Sequence, residues 1–396
     1  SAGIVAFMEG SDAVRVATEE KLSAILNDRA ASLENWYSAI EGDLAVQAQN
    51  PLVHEALYEF KTAWAELGVN PTSRLQRLYI DENPHPTGSK EELDFADDGS
   101  AYALAHQNYH PYLRNFLRDR GYYDIFLFDP DGNLIYTVFK ELDYATNLDI
   151  GEWAETDLGN AFRAARDAGA SENAPASQIY FDFKPYAPSH GAPAAFISTP
   201  LIEPDGRLAG VLVFQMPIDT LNAVMNGVAG LGETGQTYGV GPDKLMRSDS
   251  RLSEETTILS RTINTEPVRL ALSGEDGVMQ TLDYRGEPVF SAYTSVNLGG
   301  TVWAVLADQD AAEVMAPIDD LLIILIETIG IGVLLLAVIG IYVGRRTAHP
   351  ILAMTKSMRA LAAGKLDTDI PAMGGQYEVG QMATALDVFR FVLIEA

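Results

Sequence analysis

The 396-residue sequence contains no cysteine, so disulfide bonds play no part in its stability. A chain of this length suits two or three domains held by their own cores, and such disulfide-free cores are compatible with a periplasmic location. The sequence also has no nucleophile elbow, phosphate-binding loop or zinc signature. We therefore expect no catalytic residue and no cofactor in it.

Histidine is also scarce, and its spacing argues against a metal site. Four of the six histidines, at positions 85, 106, 110 and 190, follow no known ligand spacing. His106 and His110 stand at i and i+4, which is a weak metal signal without a third ligand. The turn DPDGN at residues 129–133 resembles half of a calcium loop but lacks the distant glutamate, so we interpret it as a hairpin turn.

Basic residues are few. The sequence has 27 Lys and Arg against 55 Asp and Glu, which gives a net charge of −28 at pH 7. Almost all of this acidic excess precedes residue 320. A surface of this charge argues against nucleic acid or an anionic membrane surface as a partner, and it favours a soluble domain in an ion-rich compartment.

One long apolar run, at residues 321–343, organises the chain. As a helix rising ~1.5 Å per residue it would span roughly 34 Å, which is enough to cross a ~30 Å hydrocarbon core. Asp319 and Asp320 precede the run, and Arg345 and Arg346 follow it. By the positive-inside rule, the residues before about 320 lie in the periplasm and those after about 345 in the cytoplasm of a bacterial inner membrane.

The N-terminal region predicts one long helix. Residues 11–50 contain no proline, and their apolar residues recur at intervals of three and four. A helix of this length suits a stalk that pairs with a second copy, although its apolar stripe could instead pack on the sheet that follows. Residues 1–10 begin with small apolar side chains. We interpret them as the tail of a first transmembrane helix, with a frayed terminus or a processing scar as the alternative.

Residues 51–310 predict two successive antiparallel sheets flanked by helices, an α+β architecture. Turns with Pro and Asp at residues 129–132 and 203–206 each join two apolar strands, and a weaker copy stands at residues 241–244. A glycine-rich link after residue 221 separates the two sheets. The expected domains are a membrane-distal unit, a membrane-proximal unit, a membrane helix with its lead-in and a cytoplasmic tail, at residues 51–220, 221–310, 311–344 and 345–396.

Two stretches carry a resemblance to a known family. YYDIFLFDPDGNLIYTVFKELDYATNL, at residues 122–148, and GETGQTYGVGPDKLMRSDSRL, at residues 232–252, resemble sequences of bacterial methyl-accepting chemotaxis receptors with a double Cache sensor domain. The resemblance covers residues 19–310. It implies two PAS-like antiparallel sheets that share the long N-terminal helix, with a small ligand held in the membrane-distal unit.

The ligand-binding motif of that family is only partly present. Members that bind amino acids carry an Arg-x-Trp-Tyr stretch, a Tyr-x-Asp on a strand and a final Asp. Tyr180 and Asp182 match the second element, and Trp153 matches the tryptophan. Other residue types stand at the remaining positions: Gly151, Ala154 and Gln215. Because the guanidinium and the last carboxylate are missing, an amino acid is not the expected ligand, and the identity of the ligand stays open.

Asp182 is the strongest single candidate for a ligand contact. Small-molecule pockets are mostly apolar with a few placed polar groups, which the residues around the same strand can supply. The predicted ligand-binding residues are Trp153, Tyr180, Asp182, Phe183, Tyr186, His190, Ser198 and Gln215. The alternative is an ordinary core strand followed by a proline-stiffened loop.

The tail after residue 345 resembles a HAMP linker. Two apolar stripes with alternating spacings of three and four cannot be buried by one chain, so they predict a parallel four-helix bundle and hence a homodimer. Pro350 would open the first helix, and Glu378-Val379-Gly380 matches the start of the second, although Tyr377 replaces the usual aspartate. In the membrane run, Glu327 is either a signalling contact or a tolerated interfacial carboxyl. The predicted signalling residues are Glu327, Pro350, Glu378 and Gly380.

These features predict a transmembrane chemoreceptor that binds a small extracytoplasmic ligand and acts on cytoplasmic signalling proteins through an output domain after residue 396. The alternative is a sensor histidine kinase or a nucleotide cyclase receptor whose catalytic domain follows the same residue. A third hypothesis is a structural role, in which the outer region docks on a partner protein.

Overall fold

The computed structural model describes residues 2–170, 178–371 and 378–395, with side chains described from residue 7 onward. Two compact units divide the chain. One is Asp12–Met315, and the other combines Ser1–Ser11 with Ala316–Ala396. The first contains both antiparallel sheets, and the second contains the apolar helix and the two-helix tail.

Helix α1 spans Ala2–Ala48, so the predicted long helix exists and begins earlier than expected. Its apolar stripe is buried in the main core of Asp12–Met315, through Leu22, Leu26, Leu33, Trp36, Ile40 and Leu44. Of the two predicted roles for this stripe, packing inside the chain is the one that the structure describes. Residues of both sheets belong to the same core as this stripe, so α1 contributes to a core that the two sheets share.

Three further α-helices, a π-helical turn at Arg77–Asp81 and a 3₁₀ turn at Lys90–Glu92 precede the first sheet. The α-helices are α2 (Pro51–Glu66), α3 (Pro71–Gln76) and α4 (Ala101–Arg120). The side chains of Asn50 and Ser100 cap α2 and α4 by accepting hydrogen bonds from the first turn of each helix. Gly121, at φ 74°, ends α4 in the left-handed conformation typical of helix C-termini.

The first sheet has five antiparallel strands in the order β2-β1-β5-β4-β3. They are β1 (Asp124–Phe128), β2 (Leu134–Thr137), β3 (Ile179–Tyr186), β4 (Ala192–Ile202) and β5 (Leu208–Gln215). One face packs on α1, α2 and α4, and the other packs on α5 (Asp157–Gly169). Because both faces are covered, strands β1 and β2 are buried along their whole length.

The second sheet has four antiparallel strands in the order β6-β9-β8-β7. They are β6 (Gln236–Val240), β7 (Gly277–Leu282), β8 (Pro288–Leu298) and β9 (Thr301–Asp310), with helix α6 (Ile218–Met225) before β6 and helix α7 (Glu266–Leu272) before β7. The stretch expected to contain the glycine-rich link begins with the end of helix α6, at Met225. The second arm of the weak third hairpin is reduced to isolated bridges, Val240 to Met246 and Leu245 to Thr262.

Helix α8 runs without interruption from Ala311 to Ala362 and contains Pro317 and Pro350. Pro350 therefore does not begin a separate helix, since a single proline removes one backbone hydrogen bond that a long helix can forgo. Helix α8 is long and apolar enough to cross a membrane, and its most apolar 18 residues, with a mean hydropathy of 2.8, are exposed. Helix α9 (Glu378–Glu395) follows, and the two helices share a small core that includes Met354, Leu361 and Leu386.

The two proline-containing hairpins of the first sheet allow a matched test of packing at a turn. Gly132 and Gly206 have φ angles of 86° and 85° and hold equivalent turn positions. A Cβ at Gly132 would lie 2.7 Å from Asp149 Cβ, whereas a Cβ at Gly206 would meet nothing within 4 Å. Both substitutions to alanine carry the cost of the left-handed conformation, about 1–2 kcal/mol.

We expect Gly132→Ala to cost roughly a further 1–3 kcal/mol, because an overpacked side chain must displace its neighbours. Urea unfolding of a fragment spanning Asp12–Met315 measures both variants against the wild type. Equal losses at Gly132 and Gly206 would contradict the packing seen against Asp149.

Candidate ligand-binding site

Strand β3 positions the strongest predicted residue, Asp182, against the second sheet. Arg247 donates to Asp182 Oδ2 from Nε at 3.2 Å and from Nη2 at 2.9 Å. The indole Nε1 of Trp303 and the hydroxyl of Tyr180 donate to Asp182 Oδ1, at 3.2 Å and 2.9 Å. Both carboxylate oxygens of Asp182 thus have donors within the chain.

This contact joins the two sheets, because Asp182 lies on β3 whereas Trp303 lies on β9 and Arg247 follows β6. The Arg247 side chain is only 2% exposed, and it also pairs with Asp243 at 2.9 Å. A buried guanidinium of this kind requires paired carboxylates to compensate for its lost hydration. We name Asp182, Arg247 and Trp303 the inter-sheet contact.

The neighbours of Asp182 on β3 pack at the same joint. The ring of Tyr180 meets the ring of Tyr37 edge-on at 5.5 Å, and the ring of Phe183 lies 6.2 Å from that of Trp303. Three of the predicted residues, Tyr180, Asp182 and Phe183, therefore share a position between the sheets. A direct role for them in ligand binding stays a prediction.

Three other predicted residues, Tyr186, His190 and Gln215, lie at the far end of β3 and around a buried group of acids. We name Asp124, Glu141 and Asp143 the acidic cluster. The Tyr186 hydroxyl donates to Asp143 Oδ2 at 2.6 Å, and the hydroxyls of Tyr123 and Ser189 donate to Glu141. Asp124 and Asp143 are 0% and 1% exposed.

Asp124 is bound from within its own hairpin. Its carboxylate accepts hydrogen bonds from the Thr137 hydroxyl and from the backbone N–H groups of Val138, at 2.9 Å, and Phe139, at 3.1 Å. Gln215 stands directly opposite Asp124 in the register of β1 with β5. Directly paired residues point to the same face of a sheet, so Gln215 faces the acidic cluster.

Two acceptors at the cluster have no hydrogen-bond donor in the described part of the chain. They are Asp143 Oδ1 and Gln215 Oε1, and both side chains are 1% exposed. A buried acceptor without a donor costs about 1–3 kcal/mol, so each such group calls for an explanation, of which a bound water or ligand is one. The cluster is therefore the part of the predicted site with capacity left for a ligand.

Burial sets the electrostatics of the cluster. It raises the pKa of Asp143 to about 7, helped by the nearby Glu141 charge and opposed by the Tyr186 hydrogen bond. Burial likewise raises the pKa of Asp124 and of Glu141. The same effect lowers the pKa of the buried Lys140 ammonium, against the attraction of Asp124.

A cavity of about 110 Å³ adjoins the cluster, with Glu141, Lys140 and His190 in its wall. A second cavity, of about 380 Å³, includes Tyr123 and Phe139 in its lining. The rings of these two residues stack at 5.3 Å, and Phe139 also lines the first cavity. Phe139 thus lines both cavities.

Apart from His190, none of the predicted ligand-binding residues, all of which the structure describes, lines either cavity. Ser198 donates to the carbonyl of Ala161 at 2.9 Å and fastens β4 to α5. Trp153 is half-buried against the core between α5 and the sheet. Glu327 is exposed within the apolar run of α8, and Glu378 begins α9, in which Gly380 is buried.

Sequence reasoning missed the acidic cluster and the residues that bind Asp182. A signal for the cluster was present, since Asp124 is a carboxylate within an otherwise apolar strand, and buried charges are rare unless they have a role. Nothing in the sequence pairs Arg247 or Trp303 with Asp182. In the residues that the structure describes, no group of three or more His, Cys, Asp or Glu side chains is placed to hold a metal ion.

Two protein families match the sequence. The Cache domain family matches residues 10–318, and the HAMP domain family matches residues 342–394. A probable chemoreceptor of Sinorhizobium fredii is 24% identical over 292 residues, which are 73% of this chain and 36% of the relative. The chain thus spans just over a third of the length of this relative.

The solved structures to which the chain is similar include two sensor domains. One is the periplasmic sensory domain of the Campylobacter jejuni chemoreceptor Tlp1, with 11% identity and a TM-score of 0.45, covering 77% of this chain and 99% of that one. The other is the ligand-binding domain of the Pseudomonas aeruginosa amino-acid chemoreceptor PctC. It has 18% identity and a TM-score of 0.42, covering 74% of this chain and 100% of that one.

The inter-sheet contact can be tested by stability measurements. Asp182→Ala leaves the buried Arg247 without its main partner, and we expect a loss of about 3–5 kcal/mol in the free energy of unfolding. The control is Asp205→Ala. It removes an ion pair with Arg207 in which the side chains are 52% and 79% exposed, and such a pair contributes little to stability.

Urea unfolding of the Asp12–Met315 fragment measures both variants. The expected result is a large shift for Asp182→Ala and none outside error for Asp205→Ala. Similar small shifts for the two variants would show that Asp182 does not hold the sheets together.

Proposed function

The chain belongs to the Cache domain family, with a HAMP domain after its apolar helix, and from this we propose that it is a transmembrane chemotaxis receptor for a small extracytoplasmic ligand. The observation that carries the proposal is the position of the single apolar run, 321–343, between the two matched domains. A membrane crossing at that place makes one side a sensor and the other a transmitter. The similarity to a probable chemoreceptor supports chemotaxis as the output, with cytoplasmic signalling proteins as partners.

The structure supports a route for the signal. Strand β9 ends at Asp310, and α8 begins at the next residue and continues to Ala362. A displacement of the proximal sheet would therefore act directly on a rigid helix that reaches the HAMP region. Coupling between two sites is typically about 1–3 kcal/mol, which a small shift can supply when it acts on a bundle with two packings.

We further propose that the receptor works as a homodimer. The helices of the tail enclose an apolar groove of about 430 Å³, lined by Met354, Met358, Leu361, Ala362, Met382, Ala385, Leu386 and Phe389. Met358, Met382 and Phe389 are more than half exposed in the single chain. A second copy of the same hairpin would cover this groove and complete a four-helix bundle.

Membrane orientation tests the receptor proposal. Because the sequence has no cysteine, a single introduced cysteine carries the only thiol of the chain. We expect a membrane-impermeant maleimide to label Glu254→Cys in spheroplasts and to label Lys356→Cys only after lysis, since both native side chains are exposed but lie on opposite sides of the apolar run. Labelling of both variants in intact spheroplasts would rule out the proposed orientation.

The homodimer has its own test in native membranes. Under mild copper oxidation, Met358→Cys should form a disulfide-linked dimer, because residue 358 lines the groove. The control is Lys356→Cys on the same helix, where an exposed side chain two positions away points to nearly the opposite side. Failure of Met358→Cys to cross-link faster than Lys356→Cys would contradict the bundle.

A further inference from the structure

An irregular segment, residues 83–100, joins the π-helical turn to α4, and we name it the cover segment. It forms part of the wall of both cavities of the distal unit, with Thr87, Gly88 and Lys90 at the smaller one and Glu91 at the larger one. Ion pairs fasten it to α3 and α4: Asp98 with Arg74 at 2.7 Å, Asp94 with Arg114 at 2.7 Å and Glu92 with Arg118 at 2.6 Å.

Two stacked histidines of α4 lie against this segment. His106 and His110 are both 0% exposed, and the centres of their rings are 4.2 Å apart. Each ring binds a backbone carbonyl of the cover segment. His106 Nδ1 donates to the carbonyl of Asp94 at 2.8 Å, and His110 Nε2 donates to the carbonyl of Glu91 at 2.6 Å. The segment can therefore leave α4 only when both hydrogen bonds break.

The contacts of the two rings suit their neutral form. His106 Nε2 is buried and has no partner in the part of the chain that the structure describes, so a second proton would create an N–H group without an acceptor. His110 Nδ1 lies 2.6 Å from the Tyr136 hydroxyl, which donates to it while the ring is neutral. Two charged rings at this separation would also repel each other. The closed segment thus requires uncharged histidines.

The surroundings of the pair oppose protonation as well. Burial holds the pKa of His106 and of His110 well below the usual value, and the positive charges of Lys140 and Arg114 act in the same direction. The titratable and charged groups that face the pair are Glu91 and Asp94 of the cover segment, Arg114 and Arg118 of α4, Tyr79 of the π-helical turn, Tyr136 of β2 and Lys140 after β2.

We propose that the cover segment is an acid-released lid, in which protonation of the stacked pair His106 and His110 frees residues 83–100 from α4 and opens the wall of both cavities. This inference goes beyond the proposed function and does not depend on the identity of a ligand. When the segment leaves α4, water reaches the two rings, and each can then take up a proton with the ordinary pKa of about 6.5.

The pH dependence has a defined sign. The open form binds more protons than the closed form, so it is favoured as the pH falls below about 6.5. Between pH 7.5 and pH 5.5, each histidine raises the ratio of open to closed form about tenfold. Asp143 titrates in the same window, because burial raises its pKa to about 7. Variants must therefore show that the response belongs to the histidines.

Thiol labelling of the full chain in lipid nanodiscs measures the opening. Ala96→Cys places a thiol at a position of the cover segment that is 9% exposed, and Asp97→Cys places one at the exposed next residue. The reagent is dithiodipyridine, and the ratio of the labelling rates at positions 96 and 97 removes the pH dependence of the thiol itself. We expect a ratio far below one at pH 7.5 and a rise of at least about tenfold at pH 5.5.

Matched variants assign the response to the pair. His106→Asn and His110→Gln place an amide N–H near the position of the ring N–H that binds the segment, but neither amide takes up a proton in this range. The double variant should therefore label slowly at both pH values. The control is His85→Gln, at a half-buried histidine of the same segment, and it should keep the response of the wild type.

No rise in the wild type would overturn the proposal, and an equal rise in the double variant would assign the response to other groups. If the double variant already labels fast at pH 7.5, the single variants decide, since each must show a smaller rise than the wild type. Hydrogen exchange of the wild type gives an independent measurement. Amides of residues 91–96 should lose protection at pH 5.5, after correction for intrinsic rates, while those of β1 keep theirs. Unchanged protection at residues 91–96 would contradict the lid.

Discussion

The rest of the sensor region depends on one buried ion pair, the contact of Arg247 with Asp182. The Arg247 side chain is 2% exposed, so a carboxylate beside it must compensate for the lost hydration of its charge. This requirement holds the loop after β6 against β3 of the other sheet. Trp303 adds a second donor from β9 to the same carboxylate. Because these donors come from separate elements of the proximal sheet, the joint between the sheets is a defined contact and not a loose linker.

Strand β3 connects this joint with the acidic cluster. Strand β3 carries Asp182 near its middle and Tyr186 at its end, so the residue that binds Asp143 and the residue that binds Arg247 belong to one strand. Trp303 lies on β9, which leads into α8. A change of charge or hydrogen bonding at the cluster would therefore bear on the strand that holds the proximal sheet.

Both sheets bury polar side chains that keep an unpaired acceptor. In the proximal sheet, Gln236 accepts from Ser250 and Tyr284, and Asp308 accepts from Tyr238, while Asp308 Oδ1 has no donor in the described part of the chain. In the distal sheet, Asp143 Oδ1 and Gln215 Oε1 have no donor among the described residues either. Unmet buried acceptors destabilise a fold, so both sheets carry this cost.

The sequence by itself determined the elements of this protein. The period of apolar residues predicts helices and strands, and the length of the apolar run at residues 321–343 predicts a membrane-spanning helix. The long N-terminal helix, the two sheets and the tail helices were predicted in this way. The family and the fold class are confirmed. These are local properties that any window of residues reveals. Helix ends were less well predicted: α8 continues through Pro350, because a long helix can forgo the one backbone hydrogen bond that a proline removes.

Only the tertiary structure decided which side chains meet. Asp182 and Arg247 are 65 residues apart in sequence, and their pairing follows from the stacking of two sheets that no local pattern encodes. Gln215 faces Asp124 because strands β5 and β1 pair in one particular register, and a shift of one residue would turn it to the other face. The period of apolar residues determines which face of each helix or strand is buried. The packing of one element on another determines which side chains touch.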